Sequence, residues 1–188
     1  LAAIVSREMG IPVIVGGPHA SIAPDRTISH HGVDIVCIGD GEIPLLKTIQ
    51  AINQGKSVSN IPSLWIKDRS TGNILKNQRG KGIEHLDDLP LQDWDMFDPR
   101  HRIRPFEGVL KNYGYVEISR GCPFKCSYCI QPALHEIPGD DSNHYKFHNA
   151  ENIVERVATL KDRYDFNHLQ LIDENLPTMP KRNLEEIA

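Results

Sequence analysis

The chain has 188 residues, of which 39% are hydrophobic and 24% charged, and this balance excludes a chain that is disordered as a whole. Its formal net charge of −4 argues against a protein that holds nucleic acid mainly by electrostatics, so the basic run at 100–104 reads as a solvated linker. The sequence contains neither a run of roughly 20 apolar residues nor a signal-peptide pattern. We therefore expect a cytoplasmic protein with no membrane partner.

The first 60 residues alternate between helical patterns and short apolar runs. Residues 2–9 predict a helix that Gly10 stops, and the runs at 11–17 and 33–39 predict strands buried in a parallel sheet. A longer helix is predicted after Gly41, with an apolar stripe at Leu45, Leu46, Ile49 and Ile52. These elements predict an α/β fold in which residues 1–60 are the C-terminal part of a Rossmann-like, doubly wound domain.

The middle of the chain, residues 61–110, has a different pattern. Two short extended runs lie on either side of the turn residues 70–73 and predict a β-hairpin. Residues 83–106 contain three prolines, many acids and no sustained period, which is typical of a linker. We expect this segment to join two domains.

A second α/β unit is predicted for residues 111–188. A strand at 115–119 leads into a cysteine-rich loop, Asn149 is placed to cap a helix, and a further strand follows at 168–173. Such a βαβ unit has parallel strands. The chain opens at Leu1 and closes at Ala188 inside helical patterns, so we expect a fragment of a longer protein.

Three of the four cysteines, Cys122, Cys126 and Cys129, follow the spacing C-x-x-x-C-x-x-C directly after a predicted strand. A structural zinc ion would need a fourth ligand, which His135 or His144 could supply. The alternative is a 4Fe-4S cluster whose fourth iron binds a molecule other than protein. In a reducing compartment, either reading is favoured over a disulfide. The fourth cysteine, Cys37, lies in an apolar strand and reads as a core residue.

The stretch "RGCPFKCSYC" resembles the signature loop of radical S-adenosylmethionine (radical SAM) enzymes, which follows the first strand of a partial (β/α) barrel. The resemblance implies that the three clustered cysteines hold a 4Fe-4S cluster and that the backbone around Tyr128 contacts the adenine of S-adenosylmethionine. The stretch "LIDENLPT" resembles the end of the second barrel strand. It implies that Asp173 and Glu174 lie beside the methionine part of the cofactor.

The stretches "VGGPHAS" and "IVCIGDGEIPLLKTI" resemble the second part of the cobalamin-binding domain that precedes this barrel in one large subclass. Glycines at strand ends let a bulky ligand approach the backbone. The resemblance implies a cobalamin site at Gly16, Gly17, Gly39 and Gly41. The motif Asp-x-His-x-x-Gly, which carries a cobalt-ligating histidine in that family, does not occur in these residues.

The resemblance implies an enzyme that reductively cleaves S-adenosylmethionine to a 5′-deoxyadenosyl radical. Its use would be cobalamin-dependent methyl transfer, or ring or carbon-skeleton chemistry, on an unactivated carbon of a small or natural-product-like molecule. Flavodoxin or ferredoxin would donate the electron. Two alternatives stay open: a methylthiotransferase acting on transfer RNA or a ribosomal protein, and a non-catalytic zinc or cobalamin-binding module.

Overall fold

The computed structural model describes residues 2–139 and 145–187. These residues divide into two compact units: Leu1–Ile83 with Phe124–Ser142 form unit one, and Glu84–Pro123 with Asn143–Ala188 form unit two. His144, one of the two histidines considered as a zinc ligand, lies outside the described residues.

Unit one is built on a mixed four-stranded sheet. Its strands, in spatial order, are β1 (Ile14–Val15), β2 (Ile35–Cys37), β3 (Leu64–Lys67) and β4 (Ile74–Lys76). The first two strands pair in parallel, as the sequence predicts. The hairpin of β3 and β4 is also confirmed, and it continues the same sheet because β3 pairs antiparallel with β2. The sheet is therefore mixed and not purely doubly wound.

Helices cover both faces of this sheet. They are α1 (Ala2–Met9), α2 (Pro18–Ile22), α3 (Pro24–Ser29), α4 (Glu42–Asn53) and α5 (Gln131–His135). Proline stands in the first turn of α2 and of α3, where the missing N–H has no helical partner to lose. Alternate residues of β2 enter two separate hydrophobic clusters: Val36 packs with Ile28 of α3, while Ile35 and Cys37 pack with Leu64. This alternation places helix-covered apolar layers on either side of the sheet.

The apolar stripe of α4 lies on the exposed side of the helix. Pro44 and Thr48 are its buried residues, and partly buried Ala51 packs against the cluster of Ile35 and Leu64. These three positions follow i, i+4 and i+7, so they form one helical face. The stripe residues remain between 43% and 52% exposed: Leu45, Leu46, Ile49 and Ile52.

An ion pair ties β2 to the turn after β3. The Asp34 carboxylate accepts hydrogen bonds from Arg69 Nε at 2.5 Å and from the Val13 N–H at 2.7 Å. The Asp34 side chain is only 10% exposed, and the hydrogen bond from Arg69 holds the pKa of this carboxyl below its ordinary value. Loss of the charge on Asp34 would therefore weaken the fold of unit one.

Unit two contains a three-stranded sheet in the order β5 (Ile103–Phe106), β6 (Val109–Glu117), β9 (His168–Ile172). The strands β5 and β6 form a hairpin, and its two turn residues, Glu107 and Gly108, have φ values of 51° and 76°. The strands β6 and β9 pair in parallel, with Tyr113 opposite His168, which confirms the predicted parallel pair. A short antiparallel pair joins β7 (Ser119–Arg120) to β8 (Lys146–Phe147).

The helix α6 (Ala150–Tyr164) connects β8 to β9 and packs on the sheet. Asn149 caps it as predicted, because its side chain accepts a hydrogen bond from the Asn152 N–H at 2.8 Å. The core between helix and sheet contains Val116, Ile118, Ile153 and Leu160, which are fully buried. The last helix, α7 (Lys181–Ile187), follows β9. None of the helices in the described part of the chain is both long and apolar enough to cross a membrane.

Candidate functional site

The cysteine loop follows directly from the strands of unit two. The chain leaves β6 at Glu117, forms β7, and then runs through residues 121–129 without a regular helix or strand. Gly121 has a φ of 82°, in the left-handed region that glycine adopts without strain, and it begins the loop. The Cys129 N–H donates a hydrogen bond to the Cys126 carbonyl at 3.0 Å, which closes a turn between these two cysteines.

The three cysteines of the loop are free thiols with different exposures. Cys122 is buried, while Cys126 and Cys129 are exposed. Tyr128 stands between the two exposed cysteines and is 91% exposed. The negative charge of the Cys126 thiolate raises the pKa of the Tyr128 phenol, and a hydrogen bond with the same sulfur adds to the effect. Two sulfurs and one aromatic ring are thus accessible from solvent.

The chemistry of this donor set fits an iron–sulfur cluster, because thiolates are the ligands that such clusters take. Within residues 2–139 and 145–187, no group of three or more His, Cys, Asp or Glu side chains is arranged to hold a metal ion. Among these residues His135, in α5, is therefore not part of a group of three or more such side chains. The assignment of the three cysteines to one cluster rests on their spacing in the sequence.

The acidic pair lies where β9 ends, in unit two. The Ser119 hydroxyl donates to Oδ2 of Asp173, and the Asn175 N–H donates to Oδ1 of the same carboxylate. Glu174 is exposed as a residue, but the partial burial of its carboxyl group raises its pKa, and nearby Asp173 and Glu117 raise it further. Hydrogen bonds from the N–H groups of Glu174 and Gly121 oppose this shift. Both predicted acids therefore lie at the same strand end as the root of the cysteine loop.

Two residues that sequence reasoning missed also lie at this strand end. Ser119 is 2% exposed and is bonded to Asp173. Burial raises the pKa of the Tyr145 phenol, and electrostatic interactions with Asp173 and Cys122 raise it further. Nothing in the local sequence marks either residue, because their partners are distant along the chain.

The four glycines predicted to receive cobalamin lie at the ends of β1 and β2 in unit one. Around Gly17, whose φ is 90°, and around Gly41, an added Cβ would meet no heavy atom within 4 Å. Gly16 faces Cys37, with 3.6 Å between the two Cβ positions. Gly39 is different, because a Cβ there would lie 2.6 Å from Nε of Arg79. Three of these positions are free of a tight contact, and the fourth packs against a guanidinium group.

Polar groups around Gly39 fix the backbone of its loop. The Gly39 N–H donates to the Ser21 hydroxyl at 2.9 Å, and the Asp40 carboxylate accepts from the Ile83 N–H at 3.0 Å. Cys37, just before this loop, is 3% exposed, and burial raises the pKa of its thiol to about 11. A thiol with so high a pKa is neither a ready nucleophile nor a ready metal ligand at neutral pH. The interpretation of Cys37 as a core residue is confirmed.

Comparison with curated proteins finds methyltransferases and a cyclase. An uncharacterized methyltransferase from Pyrococcus horikoshii is 25% identical over 174 residues, covering 92% of this chain and 35% of the relative. The cobalamin-dependent radical SAM methyltransferase TokK from Streptomyces tokunonensis is 25% identical and matches 97% of this chain and 26% of its own. An anaerobic magnesium-protoporphyrin IX monomethyl ester cyclase from Rubrivivax gelatinosus is 23% identical, over 95% of this chain and 31% of the cyclase. The chain thus spans about a third of the length of these relatives, and no family model matches it.

Solved structures show the same fold. The radical SAM methyltransferase TsrM from Kitasatospora setae, with cobalamin and a [4Fe-4S] cluster bound, matches 93% of this chain and 33% of its own, with a TM-score of 0.59 and 19% identity. The cobalamin-dependent enzyme OxsB matches 97% of this chain and 25% of its own, with a TM-score of 0.63 and 17% identity. The relatives and these structures confirm the resemblance to cobalamin-containing radical SAM proteins that the motifs indicated.

Proposed function

We propose that this chain is part of a cobalamin-dependent radical SAM enzyme. The observation that carries the proposal is the set of three free thiols, spaced C-x-x-x-C-x-x-C, in a loop that leaves the first strand of a parallel βαβ unit. Relatives that cover nearly all of this chain are methyltransferases and a cyclase, which supports an enzymatic function.

In this proposal Cys122, Cys126 and Cys129 hold a 4Fe-4S cluster. When bound, such a cluster supplies the electron for reductive cleavage of S-adenosylmethionine to a 5′-deoxyadenosyl radical. The exposed ring of Tyr128 offers a surface against which the adenine packs. The carboxylates of Asp173 and Glu174 give the end of β9 a negative charge, which favours the ammonium group of the methionine part.

Cobalamin would lie at the glycine loops of unit one. Gly16, Gly17 and Gly41 present backbone without a tight side-chain contact, so a large ring system can approach them. A ligand at Gly39 would also contact the guanidinium of Arg79, which packs against that glycine. The motif Asp-x-His-x-x-Gly does not occur in these 188 residues, so the proposal assigns no histidine of this chain to cobalt.

Methyl transfer is the reaction that we favour, because methyltransferases recur among the relatives. Ring formation is a second candidate, since an anaerobic cyclase is also similar over 95% of this chain. The substrate would be a small or natural-product-like molecule, and a flavodoxin or ferredoxin would donate the electron. The cytoplasm, where such donors work, would be the location.

The test is anaerobic reconstitution of the full-length protein with iron and sulfide, followed by electron paramagnetic resonance after reduction. We expect a 4Fe-4S signal that shifts when S-adenosylmethionine is added. Cys126→Ala should abolish the signal shift and the cleavage of S-adenosylmethionine, whereas the matched control Cys37→Ala should keep both. Tightly bound zinc without an iron–sulfur signal, or full cleavage activity in Cys126→Ala, would contradict the proposal.

A further inference from the structure

A buried serine holds one of the two acids at the end of β9. Ser119, at the start of β7, is 2% exposed, and its hydroxyl donates to Oδ2 of Asp173. The backbone of the preceding residue is fixed as well: the Ile118 N–H donates to the Ile172 carbonyl at 3.1 Å, and the Ile118 carbonyl accepts from the His148 N–H at 2.9 Å. The Ser119 hydroxyl therefore donates to Asp173 from a backbone segment that is held in place by hydrogen bonds.

The second oxygen of Asp173 shapes the turn that follows. The Asn175 N–H donates to Oδ1, which is the Asx-turn pattern that bends a chain after a strand. The Thr178 hydroxyl then donates to the Asn175 carbonyl at 2.7 Å and tightens the same turn. Because each oxygen of Asp173 accepts a hydrogen bond from the protein, this carboxylate helps to fix the path of the backbone in the turn after β9.

The residue between these anchors reaches the cysteine loop. The Gly121 N–H lowers the pKa of the Glu174 carboxyl, against the larger effect of burial, so these two groups lie close together. Gly121 has a φ of 82° and directly precedes Cys122, so its peptide group sets the direction in which the loop starts. A chain of contacts thus runs from Ser119 through Asp173 and Glu174 to the backbone next to the first cysteine.

We infer that Ser119 and Asp173 are positioning residues for the cysteine loop, acting through β7, which begins at Ser119 and leads directly into the loop. The inference rests on the proposed function for the meaning of the loop, and it assigns a role to a serine that no motif marks. Removing the Ser119 hydroxyl leaves a partly buried carboxylate oxygen without its donor, and the turn that carries Glu174 loses one of its two anchors. The peptide at Gly121 is then held less firmly.

The experiment compares the full-length protein with Ser119→Ala, with Ser119→Thr, which keeps the hydroxyl, and with Asp173→Asn. Ser29→Ala is the matched control, because the Ser29 hydroxyl is exposed and bonds only to a carbonyl of its own helix, at 2.8 Å. Two quantities are measured: hydrogen exchange of the peptide containing Gly121 in the apoprotein, and the affinity of the reconstituted protein for S-adenosylmethionine, read from the shift of its electron paramagnetic resonance signal.

Ser119→Ala is expected to exchange faster at the Gly121 peptide and to bind S-adenosylmethionine about tenfold more weakly, as the loss of one hydrogen bond to a charged group predicts. Ser119→Thr should restore both quantities. Asp173→Asn, which also removes a charge proposed to meet the cofactor, is compared by hydrogen exchange alone, and its exchange rate should lie between those of the wild type and Ser119→Ala. Unchanged exchange in Ser119→Ala would overturn the inference, and the exchange measurement needs no cluster. If the wild-type protein forms no 4Fe-4S cluster, the proposed function fails instead, so the two failures are distinguishable.

Discussion

Asp87 joins a buried histidine to the cap of α6 through one carboxylate, so its substitution should destabilise unit two. Its carboxylate is bonded to Nδ1 of His148 at 2.8 Å and accepts from the Asn149 side-chain amide at 2.7 Å and the Asn149 N–H at 3.2 Å. His148 is 1% exposed, and burial lowers the pKa of its ring, so at neutral pH the imidazole is uncharged and its Nδ1–H donates to Asp87.

The expected cost of Asp87→Ala follows from the exposure of each partner. A buried imidazole N–H without an acceptor costs about 1–3 kcal/mol. The bonds to Asn149 lie nearer to solvent, since the Asp87 side chain is 31% exposed, and water replaces much of them. We expect the free energy of unfolding to fall by about 2 kcal/mol in all. The helix α6 should be affected first, because Asn149 caps it.

Urea unfolding followed by circular dichroism measures this loss as a lower midpoint at an unchanged slope. Asp88→Ala is the control, because it removes the same charge from the next, exposed position. Asp87→Asn should lose less than Asp87→Ala, since its amide oxygen can still accept a hydrogen bond. If Asp87→Ala unfolds at the wild-type midpoint, the hydrogen bond to His148 does not stabilise the fold and the reasoning is refuted.

Two further substitutions test the packing and the charges. Gly114→Ala should lower the free energy of unfolding by about 1–3 kcal/mol through overpacking, because its Cβ would lie 2.7 Å from the ring of Phe166. The control Gly41→Ala meets no atom within 4 Å and should leave the free energy of unfolding nearly unchanged. Thermal unfolding of both variants checks this. Arg69 lowers the pKa of Asp34, so this pair should stabilise the fold fully above the unfolded aspartate pKa of about 3.9 and lose that stability as the pH falls through the folded pKa. Thermal midpoints at about pH 3 and 5 should therefore differ less in Asp34→Asn than in the wild type, and an equal difference would contradict the assignment.

The parts of the fold that the sequence predicts are those set by local signals. Asn149 caps α6 because a side-chain oxygen at that position meets a backbone N–H three residues on, at 2.8 Å. The parallel pairing of β6 with β9 follows from a strand, a helix and a second strand in succession. By contrast, the helical pattern of α4 does not reveal which face packs, because Pro44 and Thr48, and not the larger apolar residues, are buried.

The candidate site likewise has one part that the sequence predicts and another part that only the fold reveals. The spacing of Cys122, Cys126 and Cys129 carries its chemistry within eight positions, so it can be read from the sequence alone. Ser119 and Asp173 are 54 residues apart, and nothing short of the fold brings a serine hydroxyl to that carboxylate. The packing of Arg79 on Gly39 is equally long-range, since the glycine pattern indicates an open backbone and does not reveal what covers it.

The length of the strand β6 makes it useful for a distance measurement. Residues 109–112 pair with β5 and residues 113–117 with β9, so one continuous strand joins the exposed hairpin turn to the start of the cysteine loop. Eight steps along a strand span about 26 Å. A spin label attached at Glu107 would therefore lie at the opposite end of β6 from the start of the cysteine loop, at a separation that pulsed dipolar spectroscopy can measure. A distance measured from the hairpin would help to locate a paramagnetic centre without any substitution of the residues proposed to hold it.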